Sequence, residues 1–228
     1  VSMGASRSRP APMVMLLGGK GWELSTGQLM ERLELCPLVG EGHSMGVPSA
    51  AMMNLAPVHF MRDSCIWAVW PTNKLTVSSS LSGYAEGVIA LVYCLRRSAT
   101  IDFDEQVTLL KMVLALPAFA SVPMLVYAIE SKKSTTSASD DAPCLPLWEL
   151  DRLGEALGLE IEDSTLKENP HRPRHIEGQR SSNIRKRRSS SEAGSAWRIQ
   201  IAALDCADKG VEEGLQWLDA HTQGVRQQ

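Results

Sequence analysis

Short apolar runs alternate along this chain with segments whose apolar residues recur at helical spacing. That alternation constrains the fold more than any other feature. Val14 to Leu17 leads into Gly18-Gly19, as a buried strand leads into a turn. Gly87 to Tyr93 and Pro123 to Ala128 are unbroken apolar runs, the kind buried on both faces of a parallel sheet. Trp197 to Ala203 reads as a last strand, and Ala50 to Phe60 and Ser64 to Trp70 as two strands joined by a turn at Arg62-Asp63. Helical spacing appears in four places. Leu29, Leu33 and Leu35 mark a helix from Ser25, with Ser25 or Thr26 as its cap. Val107, Leu110, Val113 and Leu114 mark one over Phe103 to Leu116. Leu150, Leu153 and Leu157 mark one over Leu147 to Leu159, and Leu215 and Leu218 a closing helix over Val211 to His221. Residues 78–87 read as a surface helix or turn. Strands alternating with helices predict an α/β fold, a mostly parallel sheet with helices on both faces. A ligand of such a sheet sits at the carboxyl ends of its strands.

The 228 residues suit one domain over residues 12–222, preceded by a flexible arm (1–11) and followed by a short tail (223–228). The net charge of −3 conceals an asymmetry. Residues 163–192 hold eight basic and four acidic side chains, net +4, and the rest holds 15 basic and 22 acidic, net −7. An acidic body with a basic, disordered insertion before the last strand is the expectation. Five cysteines, with no pair at CxxC spacing, argue against a disulfide framework and a zinc site. The cysteine usage fits a reducing compartment and a cytoplasmic chain is expected, and no apolar run reaches the roughly 18 residues needed to span a bilayer. Met3-Gly4-Ala5-Ser6-Arg7-Ser8 fits the myristoylation pattern and would acylate Gly4 if Met3 were the start.

Several phrases resemble the ADP-ribosylation-factor-like branch of the small GTPases. Trp197-Arg-Ile-Gln-Ile201 followed by Gly210-Val-Glu-Glu-Gly-Leu-Gln-Trp-Leu218 is similar to that family's last strand and closing helix. Gly87 to Tyr93 resembles its central strand, and Pro123 to Ala128 the strand before its base-binding loop. Leu29-Met-Glu-Arg-Leu33 resembles the helix after its phosphate loop, and Val47-Pro48-Ser49 part of its first switch. The likeness covers residues 12–162 and 193–222 and implies the small-GTPase, P-loop NTPase-like, three-layer fold. For function it implies intracellular trafficking at membranes or in cilia.

The chemistry departs from that pattern. A phosphate loop reads G-x-x-x-x-G-K-[ST]: backbone N–H groups cradle phosphate, the Lys reaches the β- and γ-phosphates, and the hydroxyl takes Mg²⁺. Here Gly18 to Gly27 is glycine-rich and opens a helix, but Lys20 comes too early and Glu23 repels phosphate. Gly18, Gly19, Lys20, Gly21, Ser25 and Thr26 are what is left to meet phosphate. The resemblance gives Mg²⁺ only Ser49 and Thr26, and only if nucleotide binds. The second-switch stretch, Ile66-Trp-Ala-Val-Trp-Pro-Thr-Asn73, has no carboxylate, glycine or glutamine. In the base loop Glu130 and Lys132 stand where Asn-Lys-x-Asp is needed, with Lys132 at the Asp position. An ammonium has no acceptor for the guanine N–H groups.

The resemblance therefore implies a pseudo-GTPase, an interaction module with no cofactor. The alternative is a divergent GTPase switch that still takes GTP or GDP with Mg²⁺. A protein partner would meet the switch-equivalent surface, residues 36–73 and 78–87. Trp22 and Trp70, at strand ends where nucleotide would sit, either fill the vacated pocket or contact that partner. Peripheral membrane contact through the N-terminus or the basic insertion is a further expectation. The basic run Arg185 to Arg188 lacks interleaved aromatics, which argues against nucleic acid.

Overall fold

The computed structural model describes residues 11–18, 28–38, 57–63, 65–73, 77, 80–96, 103–130, 150–159, 175–180, 195–203 and 209–226. In chain order they form β1 (Met13–Gly18), α1 (residues 28–32), β2 (Cys36–Pro37), β3 (Val58–Arg62), β4 (Cys65–Pro71), a 3₁₀ turn (Leu81–Tyr84) and β5 (Val88–Arg96). Then follow α2 (Phe103–Leu114), β6 (Met124–Glu130), α3 (Leu150–Leu157), β7 (His175–Arg180), β8 (Ser195–Ala203) and α4 (Lys209–Arg226). One sheet runs in the order β2-β3-β4-β1-β5-β6-β8-β7. Its five central strands, β4, β1, β5, β6 and β8, are parallel, and the outer β2, β3 and β7 are antiparallel to their neighbours. A mixed α/β fold with a mostly parallel sheet is thus what the chain forms.

Side chains that alternate along each strand split the core in two. Met15, Leu17, Trp70, Tyr93, Val126 and Ile199 point to the face covered by α2, α3 and the 3₁₀ turn. Val14, Leu16, Val92, Cys94, Leu125 and Tyr127 point to the face covered by α1 and α4. Burying each large apolar side chain on these faces is worth about 1.5–3 kcal/mol. The helices face the sheet as their spacing dictates: Val107, Leu110 and Val113 are buried, while Leu114 is half-exposed and Leu109 takes an inward place.

Two helices end in the same way. Leu35 N–H reaches Met30 C=O and Glu34 N–H reaches Glu31 C=O, with Glu34 at φ 52°. Leu159 N–H reaches Gly154 C=O and Gly158 N–H reaches Glu155 C=O, with Gly158 at φ 69°. Both are Schellman ends, which satisfy otherwise orphaned carbonyls through one left-handed residue. The turn at Arg62-Asp63 forms as expected. Asp63 takes φ 47°, a conformation that aspartate tolerates better than most residues.

One expectation is corrected. Part of the segment expected to be a disordered basic insertion, residues 175–180, is an edge strand. β7 pairs antiparallel with β8, with Ile176 opposite Ile199 and Glu177 opposite Arg198. Ile176 is fully buried. Arg198 lies 3.6 Å from Glu177 and places its fork on Gln200 Oε1 at 2.8 and 3.0 Å. The alternation of this strand was hidden because Ile176 is its only large apolar residue, and Gly178 is the other inward position among its described side chains.

Candidate functional site at the carboxyl edge of the sheet

The parallel strands end together. Gly18 is level with Pro71 on one side and Cys94 on the other, Arg96 with Ile129, and Glu130 with Ala203. After β1 the chain enters α1 on one face of the sheet, and after β5 it enters α2 on the other. Adjacent strands whose helices leave to opposite faces open a crevice between their carboxyl ends, the usual ligand position in such sheets. Here the crevice lies between β1 and β5.

Of the residues expected to hold phosphate, Gly18 is the one described. It is buried, and its carbonyl is occupied: the Thr72 N–H donates to it at 2.7 Å and the Thr72 hydroxyl at 2.9 Å. Thr72 is only 4 % exposed, so its hydroxyl is committed to this cross-tie between β1 and β4. Glu130 is the last residue of β6, and its backbone is level with Ala203. Gly4, Gly19, Lys20, Gly21, Trp22, Ser25, Thr26, Ser49 and Lys132 lie outside the described residues.

Of the two expectations for Trp70, contact with a partner is the one corrected. Trp70 is 0 % exposed and offers nothing to a partner. Its ring packs edge-on against Tyr84, with centroids 5.0 Å apart and planes at 78°, the T-shaped geometry aromatic pairs favour. Tyr84 is the exposed member of the pair. The Trp70 Nε1 is buried without a hydrogen-bond partner.

The remaining edge chemistry is muted. Burial pushes the Tyr93 phenol well above its ordinary range, an effect the nearby Thr72 hydroxyl partly offsets. Burial alone pushes the Cys94 thiol up to about 12. A thiol held protonated is no nucleophile at neutral pH. Among the described residues no cluster of three or more His, Cys, Asp or Glu is arranged to hold a metal ion.

Two residues that sequence reasoning passed over organise the end of β5. Gln106, from the first turns of α2 and nearly fully buried, donates from Nε2 to the Arg96 carbonyl at 2.7 Å and accepts the Arg96 N–H on Oε1 at 3.1 Å. The side-chain amide thus imitates a neighbouring strand and pins the strand end. A polar residue on the inward face of an amphipathic helix was the available signal. Arg96 itself is half-buried, with its Nε buried and unpartnered.

Comparison with protein-family models finds no match, and comparison with curated proteins finds no significant relative.

Proposed function

We propose that the chain is an ADP-ribosylation-factor-like pseudo-GTPase, a protein-interaction module of intracellular trafficking at membranes or in cilia. The observation that carries the proposal is the end of β4. Where the resemblance calls for a carboxylate to hold Mg²⁺ and glycines to sense the γ-phosphate, the chain has Pro71, Thr72 and Asn73, and Thr72 is tied to Gly18. Phosphoryl transfer depends on positioning and on charge stabilisation of the transferred group. Residues 71–73 supply neither the metal-holding carboxylate nor the glycines. The parallel sheet with an antiparallel β3–β4 hairpin at one side, and α1 and α4 together on one face, supports the small-GTPase fold.

The partner surface is the switch-equivalent one. The two large apolar side chains exposed among the described residues, Leu38 and Tyr84, both fall within it. Leu38 follows β2, and Tyr84 is braced from beneath by Trp70. Rigid, exposed aromatic and aliphatic anchors are what protein interfaces use.

The test is extraction of nucleotide from purified protein with mass analysis, together with thermal unfolding titrated with GTP and Mg²⁺. No bound guanine nucleotide and no magnesium-dependent shift is the expected result. Co-purified GDP or GTP would overturn the proposal in favour of a divergent but nucleotide-binding switch.

A further inference from the structure

We propose that β7 is a detachable strand: it leaves β8 as a unit while the rest of the sheet stays folded, so the sheet has two states that differ in its outermost strand. Three observations carry this. The first is the pairing. Among the described residues β7 ends the sheet, and β8 is its one strand neighbour. β8 does not depend on β7 in return. On its other side it pairs with β6 from Trp197 to Ala203, and α4 lies close against it at Gly210. Without β7 it keeps a full ladder on one side, as an ordinary edge strand does.

The second is how little apolar surface holds β7. Ile176 is fully buried in the cluster that includes Leu150, Leu153 and Leu157 of α3. Gly178, opposite Trp197, has no side chain to bury, and His175 and Glu177 are half-buried. One aliphatic anchor in a strand of six residues is set against the conformational freedom that all six regain on release.

The third is the polar face. Glu177 is level with Arg198, and their charges lie 3.6 Å apart, beyond hydrogen-bond length. Glu177 Oε2 is buried with no hydrogen-bond partner. Arg198 directs its fork to Gln200 of its own strand, at 2.8 and 3.0 Å, and burial pulls the guanidinium below its ordinary range. A charge pair taken out of water without hydrogen bonds between its members gains little. When β7 leaves, Glu177 returns to water and Arg198 keeps Gln200. The pair sets the register of β7 without locking it.

The test is hydrogen exchange on the full chain labelled with ¹⁵N, with and without urea below the unfolding transition. The amides that join β7 to β8 should exchange through one common opening, about 100-fold or more faster than those that join β8 to β6. Urea should barely change their rates, because release of one strand exposes little surface, and should speed the β6–β8 amides steeply. Leu29→Ala, in α1 and four strands away from β7, weakens the body of the protein and not the hold on β7. It should accelerate the β6–β8 amides about 30-fold or more and leave the β7–β8 amides unchanged. The urea series makes the same distinction without a substitution. Ile176→Ala should accelerate β7–β8 exchange about 30-fold or more, and Ile176→Val by less where alanine prevents folding. The proposal is overturned if the two sets of amides share one rate and one urea dependence, or if Leu29→Ala accelerates both alike. It is also overturned if neither Ile176 substitution changes β7–β8 exchange, since the strand ends would then be fraying with Ile176 in place. The interaction-module reading stands or falls separately, on co-purified nucleotide.

Discussion

Gly214 lies midway along α4, where glycine weakens a helix by about 1 kcal/mol relative to alanine. In an open helix Gly214→Ala would stabilise the protein by that amount. The packing here reverses the sign. A Cβ on Gly214 would lie 2.7 Å from Tyr127 Oη, 2.8 Å from its Cε1 and 3.0 Å from its Cζ. The ring has little freedom to yield. Tyr127 is fully buried, and its hydroxyl donates to the Val211 carbonyl at 2.8 Å. Overpacking costs about 1–3 kcal/mol, and breaking the hydrogen bond adds about 1 kcal/mol. After the gain in helix propensity, Gly214→Ala should destabilise by about 1–3 kcal/mol. Tyr127→Phe removes the oxygen closest to the new methyl, so the alanine should cost less in that background, with a coupling of at least about 0.5 kcal/mol. Urea unfolding followed by far-ultraviolet circular dichroism on the four proteins of the cycle measures both quantities. The reasoning is refuted if Gly214→Ala is stabilising by about 1 kcal/mol, or if the two substitutions are strictly additive.

Two further outcomes follow from the buried polar and titratable groups. Gln106→Leu leaves the Arg96 N–H and C=O without their partners and should cost about 2–3 kcal/mol. Hydrogen exchange at the Arg96 amide should accelerate with it, and unchanged protection there would count against the clamp. The Cys94 thiol, the Tyr93 phenol and the Tyr127 phenol are all raised by burial. Groups raised in the folded state are fully neutral below their unfolded values, and stability is lost as pH climbs past those values. The Cys94 contribution should therefore fade between the ordinary thiol value of 9.0 and about 12, visible as a falling midpoint in unfolding at alkaline pH. At pH near 8, maleimide labelling mapped by mass spectrometry should modify exposed Cys36 and spare Cys94 in the native protein. Equal labelling of the two would remove the basis for the alkaline prediction.

The elements with strong periodicity were legible from the residues alone. β1, β5, β6, β8 and the helices α2 and α4 fall where apolar runs and helical spacing place them, with ends moved by a few residues. β5 continues past Tyr93 to Arg96 because β6 pairs with it as far as Ile129 and the Gln106 side chain bonds the Arg96 backbone, long-range partners that no local pattern announces. β7 escaped because Ile176 is its one large apolar residue, too little apolar surface to outweigh a basic, proline-containing context. At the edge, the absence of carboxylate and glycine in residues 66–73 was readable directly. The Thr72–Gly18 tie was not, because it joins residues 54 positions apart. Trp70 was read by its position at a strand end. Only the structure distinguishes a tryptophan pointing into the sheet's core from one presented to a partner.

The glycines of α4 show what the most specific resemblance is worth. Gly210 and Gly214 belong to the phrase that is most similar to the closing helix of the ADP-ribosylation-factor-like proteins. Both answer a packing demand. A Cβ on Gly210 would run into the backbone carbonyl of Ile201 in β8, and one on Gly214 into the Tyr127 ring of β6. α4 lies so close to the sheet that glycine is required at both places, and Trp217, Leu215 and Leu218 fill the space on either side. Likeness in that phrase is therefore likeness of helix-on-sheet geometry, and it carries no information about nucleotide chemistry. Function has to be argued at the other end of the same strands. Among the described residues there stand the tie between Thr72 and Gly18, the buried Trp70 beneath Tyr84, and the Gln106 clamp on the Arg96 backbone. The described part of this edge is held by hydrogen bonds between distant segments, and the proposed interaction module would rest on that held part.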